Sequence, residues 1–486
     1  MQSKTRHASS SIQAQEFELA SIDIAQGDAD MNFVLFYYGA SKRHKKRRLP
    51  VGRLKASLLS AIQQFPIMLG RAVPSDSGHT VVVDPENLNW PDITEVAVSN
   101  ISIASLQRNG FAWSRWPQAT HTVDLVLRPS SPMVGVHIVR YACGGISVHT
   151  KVRHLILDGN GAWRFYSAWA KLCREQSKVY GKQSLVCPRD GEPLLISRSS
   201  MFSKLLTPIS GQDAEYAKAV GHIDQMSRLF DRVIERRLQA SGVISADAYD
   251  YTVRKFVLSH DAATRLKVVH GQLAGCSPAH KSFVRAHNIT YVSTNDLVCA
   301  VFWRAITRAH YALNPSDPNT CMMLACDMRS RLGLPQTYTG NVSFPLVMHM
   351  DKSQMQQHTI TDTATWIRHQ LSVLSPAYVQ HMSSVMACPE AMQRFISIFH
   401  PSNSFFSASI VNRFPMFDIV DFGFGKPVHI DIPPYLTPGF SIWMPVRPTA
   451  QLAKAPTTFV DIALREDVYQ LLLSDAEFCR YLEVMH

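Results

Sequence analysis

The sequence predicts a mixed α/β or α+β chain folded as two domains. Three observations carry this. Strand-like alternation and helix-like spacing are interleaved along the whole length rather than segregated. At 486 residues, the chain is longer than a single hydrophobic core usually supports. The stretch 204–237 is charged and helix-like with no strand signal, and it reads as a connection between two halves. The expected division is an N-terminal domain over 1–205, a helical crossover over 206–250 and a C-terminal domain over 251–486.

Taken in order, residues 33–38 form an apolar, strand-like run. The basic run Lys42-Arg43-His44-Lys45-Lys46-Arg47-Arg48 follows and is expected to be a solvated loop. Apolar residues at helical spacing predict an amphipathic helix over 51–65. Residues 146–154 alternate, with Ile146, Val148, Thr150, Val152 and His154 on one strand face and Ser147, His149, Lys151 and Arg153 on the other. The chain then turns at Asp158-Gly159-Asn160-Gly161. Trp163, Tyr166, Trp169, Ala170 and Cys173 predict a helix beyond the turn. Tyr251–Ser259 alternates as a strand, with a helical pattern after it through Leu273. Residues 281–287 are expected in a loop before the next helix. Ser293 and Asp296 have capping-box spacing at the start of a helix that carries Trp303-Arg304.

Composition narrows the function classes. The chain is 46% hydrophobic and 18% charged, ordinary for a folded protein. No apolar run is long enough to span a membrane. Residues 1–15 are polar, without the apolar core of a secretory signal, and the last three residues are not a peroxisomal tail, so a cytoplasmic location is expected. Nine cysteines are scattered singly with no Cys-x-x-Cys pair, so neither a disulfide framework nor a zinc site is expected, and no metal is expected. The net charge of +11 fits either nucleic acid or an anionic small substrate. Much of the excess lies in 42–48, and no nucleic-acid recognition motif accompanies it, so no nucleic-acid partner is expected.

His154 is the candidate for the chemistry. It sits at the apolar end of a strand, where a histidine is either a satisfied core residue or a base lining an interior space. Asp158 stands just ahead of a helix start, where it serves as a cap or turn residue. Residue chemistry alone leaves these alternatives open.

The pattern His154-x-x-x-Asp158-Gly159 resembles the His-x-x-x-Asp-Gly motif of coenzyme A-dependent acyltransferases. Asp421-Phe422-Gly423-Phe424-Gly425 resembles the Asp-Phe-Gly-Trp-Gly signature of the BAHD acyltransferase family, with Phe424 in place of tryptophan. Between the two, Asp327-Met328-Arg329-Ser330-Arg331 and Tyr338-Thr339-Gly340-Asn341 are similar to further family elements. There are two further departures. Arg153 replaces a histidine found in many plant members, and Val411 replaces a tryptophan near the acceptor site. With the long charged connection, the pattern is more like the divergent fungal branch.

The resemblance implies two similar chloramphenicol acetyltransferase-like domains, mixed sheets flanked by helices, with a channel at their interface. It implies a monomer in secondary metabolism that uses an acyl-coenzyme A co-substrate, binds no resident cofactor and acylates a small-molecule alcohol or amine. It implies that His154 is the general base, and that Asp158 orients by pairing with an arginine, Arg329 first and Arg331 second. Asp421, Phe422, Gly423 and Gly425 would be structural, and Ser409 and Asn412 would contact substrate. No Gly-x-Ser-x-Gly elbow suggests a serine nucleophile, and no acyl-enzyme is required. The competing readings are a condensation-type enzyme using carrier-bound acyl groups and a non-catalytic binding protein on the same fold.

Overall fold

A computed structural model describes residues 12–26, 30–39, 51–75, 78–117, 132–176, 251–315, 318–387, 404–433, 439–447 and 456–485. The basic run 42–48 and the crossover 206–250 lie outside these residues. The chain divides into two compact units. The first comprises 1–207, 328–342 and 415–433, and the second comprises 208–327, 343–414 and 434–486.

The first unit is built on a five-stranded sheet. Its order is His429–Asp431, Asp30–Tyr37, Ile146–Arg153, Val134–Tyr141 and Asp92–Val98. The last two strands are parallel, and every other pair is antiparallel. The central strand Ile146–Arg153 is buried on both faces, so its polar residues need partners inside the protein. The Tyr141 hydroxyl and Ser147 Oγ lie 3.0 Å apart, Ser147 Oγ and His149 Nε2 2.8 Å apart, and Lys151 pairs with Asp30 at 3.2 Å. A smaller antiparallel sheet of Gln15–Glu18, Gly78–Val83 and Arg71–Ser75 belongs to the same unit.

Helix Gly159–Gln176 packs on helix Val51–Ile62. Trp169 fixes the contact, because its indole N–H donates to Leu54 O and Ser57 Oγ, both at 3.1 Å. The division expected from sequence, 1–205, 206–250 and 251–486, put 328–342 and 415–433 in the C-terminal domain. They lie in the first unit instead, and His429–Asp431 extends its sheet by pairing with Asp30–Tyr37. A strand pairs with the edge that accepts its hydrogen bonds, wherever the edge lies in the sequence.

The second unit holds a seven-stranded mixed sheet. Its order is Ser343–Asp351, Asn319–Asp327, Phe405–Ile410, Phe440–Pro445, Pro456–Arg465, Tyr251–Ser259 and Glu483–Met485. Phe405–Ile410 is parallel to both of its neighbours. Helix Thr294–Leu313 is buried along nearly its whole length, and its Trp303 N–H donates to Thr320 Oγ1 at 2.8 Å. The Ser293–Asp296 capping box is formed. Residues 281–287 are not a loop, since helix Pro278–Ala286 covers most of them. Ser277 caps it through His280 N at 3.3 Å, Pro278 supplies the favoured first-turn residue, and His280 and Val284 are buried.

Candidate active site

The candidate site in the first unit forms where strand Ile146–Arg153 ends. His154 follows directly, in a turn that leads to helix Gly159–Gln176, and it keeps partial solvent exposure. His154 Nδ1 lies 3.1 Å from Asn341 Oδ1. The Asn341 amide nitrogen donates to Asp23 Oδ1 at 2.8 Å and to the His154 carbonyl at 2.7 Å. These two acceptors fix the amide orientation, because a flipped amide would place its own oxygen against a carboxylate and a carbonyl. Asn341 Oδ1 therefore faces the imidazole, a placement that suits an imidazole with its proton on Nδ1. In that tautomer the lone pair of neutral His154 is on Nε2. Burial pushes the imidazole below its ordinary pKa. Its own carbonyl, Asp158, Asn341 and Asp23 act in the opposite direction.

Asp158 does not point toward the imidazole nitrogens. Its carboxylate receives both arms of the Arg329 guanidinium at 2.8 Å. Gly161 N–H donates to Oδ1 at 2.9 Å, which caps the following helix, and Val342 N–H donates to Oδ2 at 3.1 Å. Arg329 is fully buried and also donates to the carbonyls of Tyr338 and Gly340 at 3.0 and 2.9 Å. This buried fork ties the His154 turn to segment 328–342, which also supplies Asn341. Arg331 is exposed, unlike Arg329. Gly161 permits the approach, because a Cβ there would lie 2.0 Å from Thr339 O.

The second motif forms a separate turn in the same unit. Asp421 Oδ1 accepts from Gly423 N at 2.8 Å and Gly425 N at 3.0 Å. The two glycines have φ of 91° and 106°, where a side chain is strained. Phe422 is fully buried against Trp169, with ring centroids 4.6 Å apart. Arg174 donates to the Asp421 carbonyl, Arg53 to the Phe422 carbonyl at 3.3 Å, and Tyr37 to the Val420 carbonyl at 2.8 Å.

Ser409 and Asn412 belong to the second unit, Ser409 on strand Phe405–Ile410 and Asn412 just beyond it. Asn412 lines a cavity of about 410 Å³ in that unit, together with His260, Lys267, Asn295, Trp443 and Thr457. Among the described residues, its buried Oδ1 has no hydrogen-bond partner. Among the described residues, no cluster of three or more histidine, cysteine, aspartate or glutamate side chains could hold a metal ion. None of the described helices is long and apolar enough to cross a membrane. Asp23, which reaches the site through Asn341, is a residue that sequence reasoning missed. Its only local signal is an acidic side chain in the first turn of a short helix.

The profile of the Transferase family matches residues 1–453. Anthranilate N-benzoyltransferase protein 1 of Dianthus caryophyllus is 22% identical over 317 residues, which cover 62% of this chain and 59% of that protein. The chain thus spans little more than half the length of that relative. Trichothecene 3-O-acetyltransferase of Saccharomyces cerevisiae is 23% identical over 427 residues, covering 85% of this chain and 80% of that protein. Among solved structures, TRI101 of F. graminearum complexed with ethyl coenzyme A superposes with a TM-score of 0.72. The superposition covers 98% of this chain and all of that one at 14% identity. The shared fold is the two-domain, chloramphenicol acetyltransferase-like arrangement of mixed sheets flanked by helices.

Proposed function

We propose that this chain, which belongs to the Transferase family of BAHD acyltransferases, moves an acyl group from a coenzyme A thioester to a hydroxyl group of a small molecule. The observation that carries the reading is the contact of His154 Nδ1 with the oriented Asn341 amide, which in this reading leaves Nε2 to take the acceptor's proton. As the acceptor oxygen attacks the thioester carbonyl, Nε2 removes its proton. A carbon–oxygen bond forms, the tetrahedral intermediate collapses, and the carbon–sulfur bond breaks. His154 then returns the proton to the departing thiolate. Asp158 takes no proton, because Arg329 and two backbone N–H groups occupy its oxygens.

Two features support the substrate classes. A relative aligned over most of this chain is named for O-acetyl transfer, and a structural neighbour holds ethyl coenzyme A. Lys267 gives the second unit's cavity a cation of the kind that pairs with a phosphate group. An amine acceptor is the alternative, since another relative is named for N-acyl transfer.

The test is thiol release from a panel of acyl-coenzyme A donors with pooled hydroxylated and amine acceptors. Wild type should show acceptor-dependent release, and His154→Ala should lose on the order of 10²–10⁴-fold, the usual contribution of a general base. Equal release by the two proteins would remove His154 from the mechanism. The pH profile adds a sign. A base whose pKa lies below 6.5 stays unprotonated further into acid, so the acid limb of kcat/KM should fall below pH 6.5 rather than at or above it.

A further inference from the structure

Asp23 has no role in the reaction as written above, yet its carboxyl group is fully buried. A carboxylate in that setting is costly unless every oxygen is engaged. One oxygen accepts from Ala20 N at 2.9 Å, closing the first turn of helix Ser21–Ala25. The other accepts from Asn341 Nδ2 at 2.8 Å. Asn341 is itself buried, and its amide oxygen meets His154 Nδ1. The three residues form a directed chain from carboxylate to amide to imidazole.

We infer that Asp23 is a positioning residue. Acting through Asn341, it selects the Nδ1–H tautomer of His154 and favours the imidazolium that forms during proton transfer. This role rests on the acyl-transfer reading, although the tautomer itself does not. The reasoning is one of donors and acceptors. Asn341 has one N–H₂ and one oxygen. A full negative charge on Asp23 draws the N–H₂ toward itself and leaves the oxygen for Nδ1. The oxygen can only accept, so Nδ1 must carry the proton. When Nε2 gains a second proton, the positive ring faces an amide oxygen polarised by the carboxylate behind it. Asp158 is the other carboxylate acting on the ring, and Arg329 offsets its charge.

Asp23→Asn is the discriminating substitution. The neutral amide has only one acceptor, so either Ala20 N–H or Asn341 Nδ2 loses its partner. If the substituted amide turns its own N–H₂ toward Asn341, the Asn341 amide is driven to flip. His154 Nδ1 then faces a donor, and the ring proton moves to Nε2, where no base remains. The expected kinetic result is a fall in kcat on the order of 10–100-fold, as for loss of a group that orients a catalytic histidine. KM for both substrates should change less than about twofold, because Asp23 is fully buried and reaches His154 only through Asn341. The acid limb of the pH profile should move further into acid as the carboxylate's support is lost.

Nitrogen NMR of histidine-labelled protein reads the tautomer without turnover. Wild-type His154 should be the Nδ1–H form at neutral pH, and Asp23→Asn should gain the Nε2–H form. Asp23→Asn with unchanged kcat and an unchanged acid limb would overturn the proposal. So would wild-type His154 in the Nε2–H form, a result that needs no folded variant. If wild type released no thiol with any acceptor, the acyl-transfer reading would fail while the tautomer still tested the chain from Asp23 to His154.

Discussion

The first unit contains two turns that each begin at a motif aspartate, and they are held by opposite means. At Asp158, both carboxylate oxygens are used and most of their partners are remote in sequence. They are the Arg329 fork, Val342 N–H and, locally, Gly161 N–H. At Asp421, a single oxygen accepts from backbone two and four residues onward, and the arginines reach the carbonyls instead. Asp158 is buried, whereas the Asp421 turn is part-exposed. The first is a long-range clamp that sets the turn containing His154. The second is a locally closed loop that neighbouring side chains hold in place. Damage to the clamp should spread, and damage to the loop should stay local.

Arg329→Met should have the largest effect on stability. It leaves the Asp158 carboxylate buried without its counter-charge, a change that costs about 3–5 kcal/mol. Urea unfolding followed by intrinsic fluorescence would show it as a lower midpoint. Adding Asp158→Asn should recover part of the loss, since the stranded charge is then gone. A single variant within about 0.5 kcal/mol of wild type would show that the fork is not a clamp. Acyl transfer should fall with it, because segment 328–342 also carries Asn341.

Asp421→Ala should cost less. Two part-exposed N–H groups lose an acceptor, and water can replace some of what is lost, so about 1–2 kcal/mol is expected. The same unfolding experiment ranks it against Arg329→Met. A loss equal to that of Arg329→Met would erase the distinction between the two turns.

The sequence made the near part of the site legible and hid the far part. Alternation over 146–154 places His154 at the strand end, and helical spacing from Trp163 to Cys173 recovers the helix after it. Both are local periodicities, which a single strand or helix writes into its own residues. The location of segments 328–342 and 415–433 in the first unit could not be read this way. It depends on strand pairing and on a buried ion pair, and neither imposes a period on the intervening chain. Asp23 was hidden for the same reason, since its partner Asn341 is 318 residues away. The fork between Asp158 and Arg329 came only through family resemblance, because nothing in the spacing favours Arg329 over Arg331. Helix Pro278–Ala286 was a different kind of miss. Ser277 and Pro278 are ordinary start signals, and the expected loop over 281–287 passed over them.

The smallest effect sharpens the comparison from the other side. Phe424 stands where the family signature has tryptophan. Its ring meets Tyr37 edge-on with centroids 5.0 Å apart, and it is only half-buried, unlike Phe422. A locally closed loop sets its backbone through Asp421 and two glycines, not through the ring at this position. Phe424→Trp keeps an aromatic edge for Tyr37 at a half-buried position. The unfolding midpoint should therefore shift by no more than about 0.5 kcal/mol, with thiol release unchanged. A loss above about 2 kcal/mol would mean that this ring is packed as tightly as a core side chain. The loop would then be held by its aromatic contacts rather than by the Asp421 carboxylate, and the two turns would differ less than their hydrogen bonds suggest.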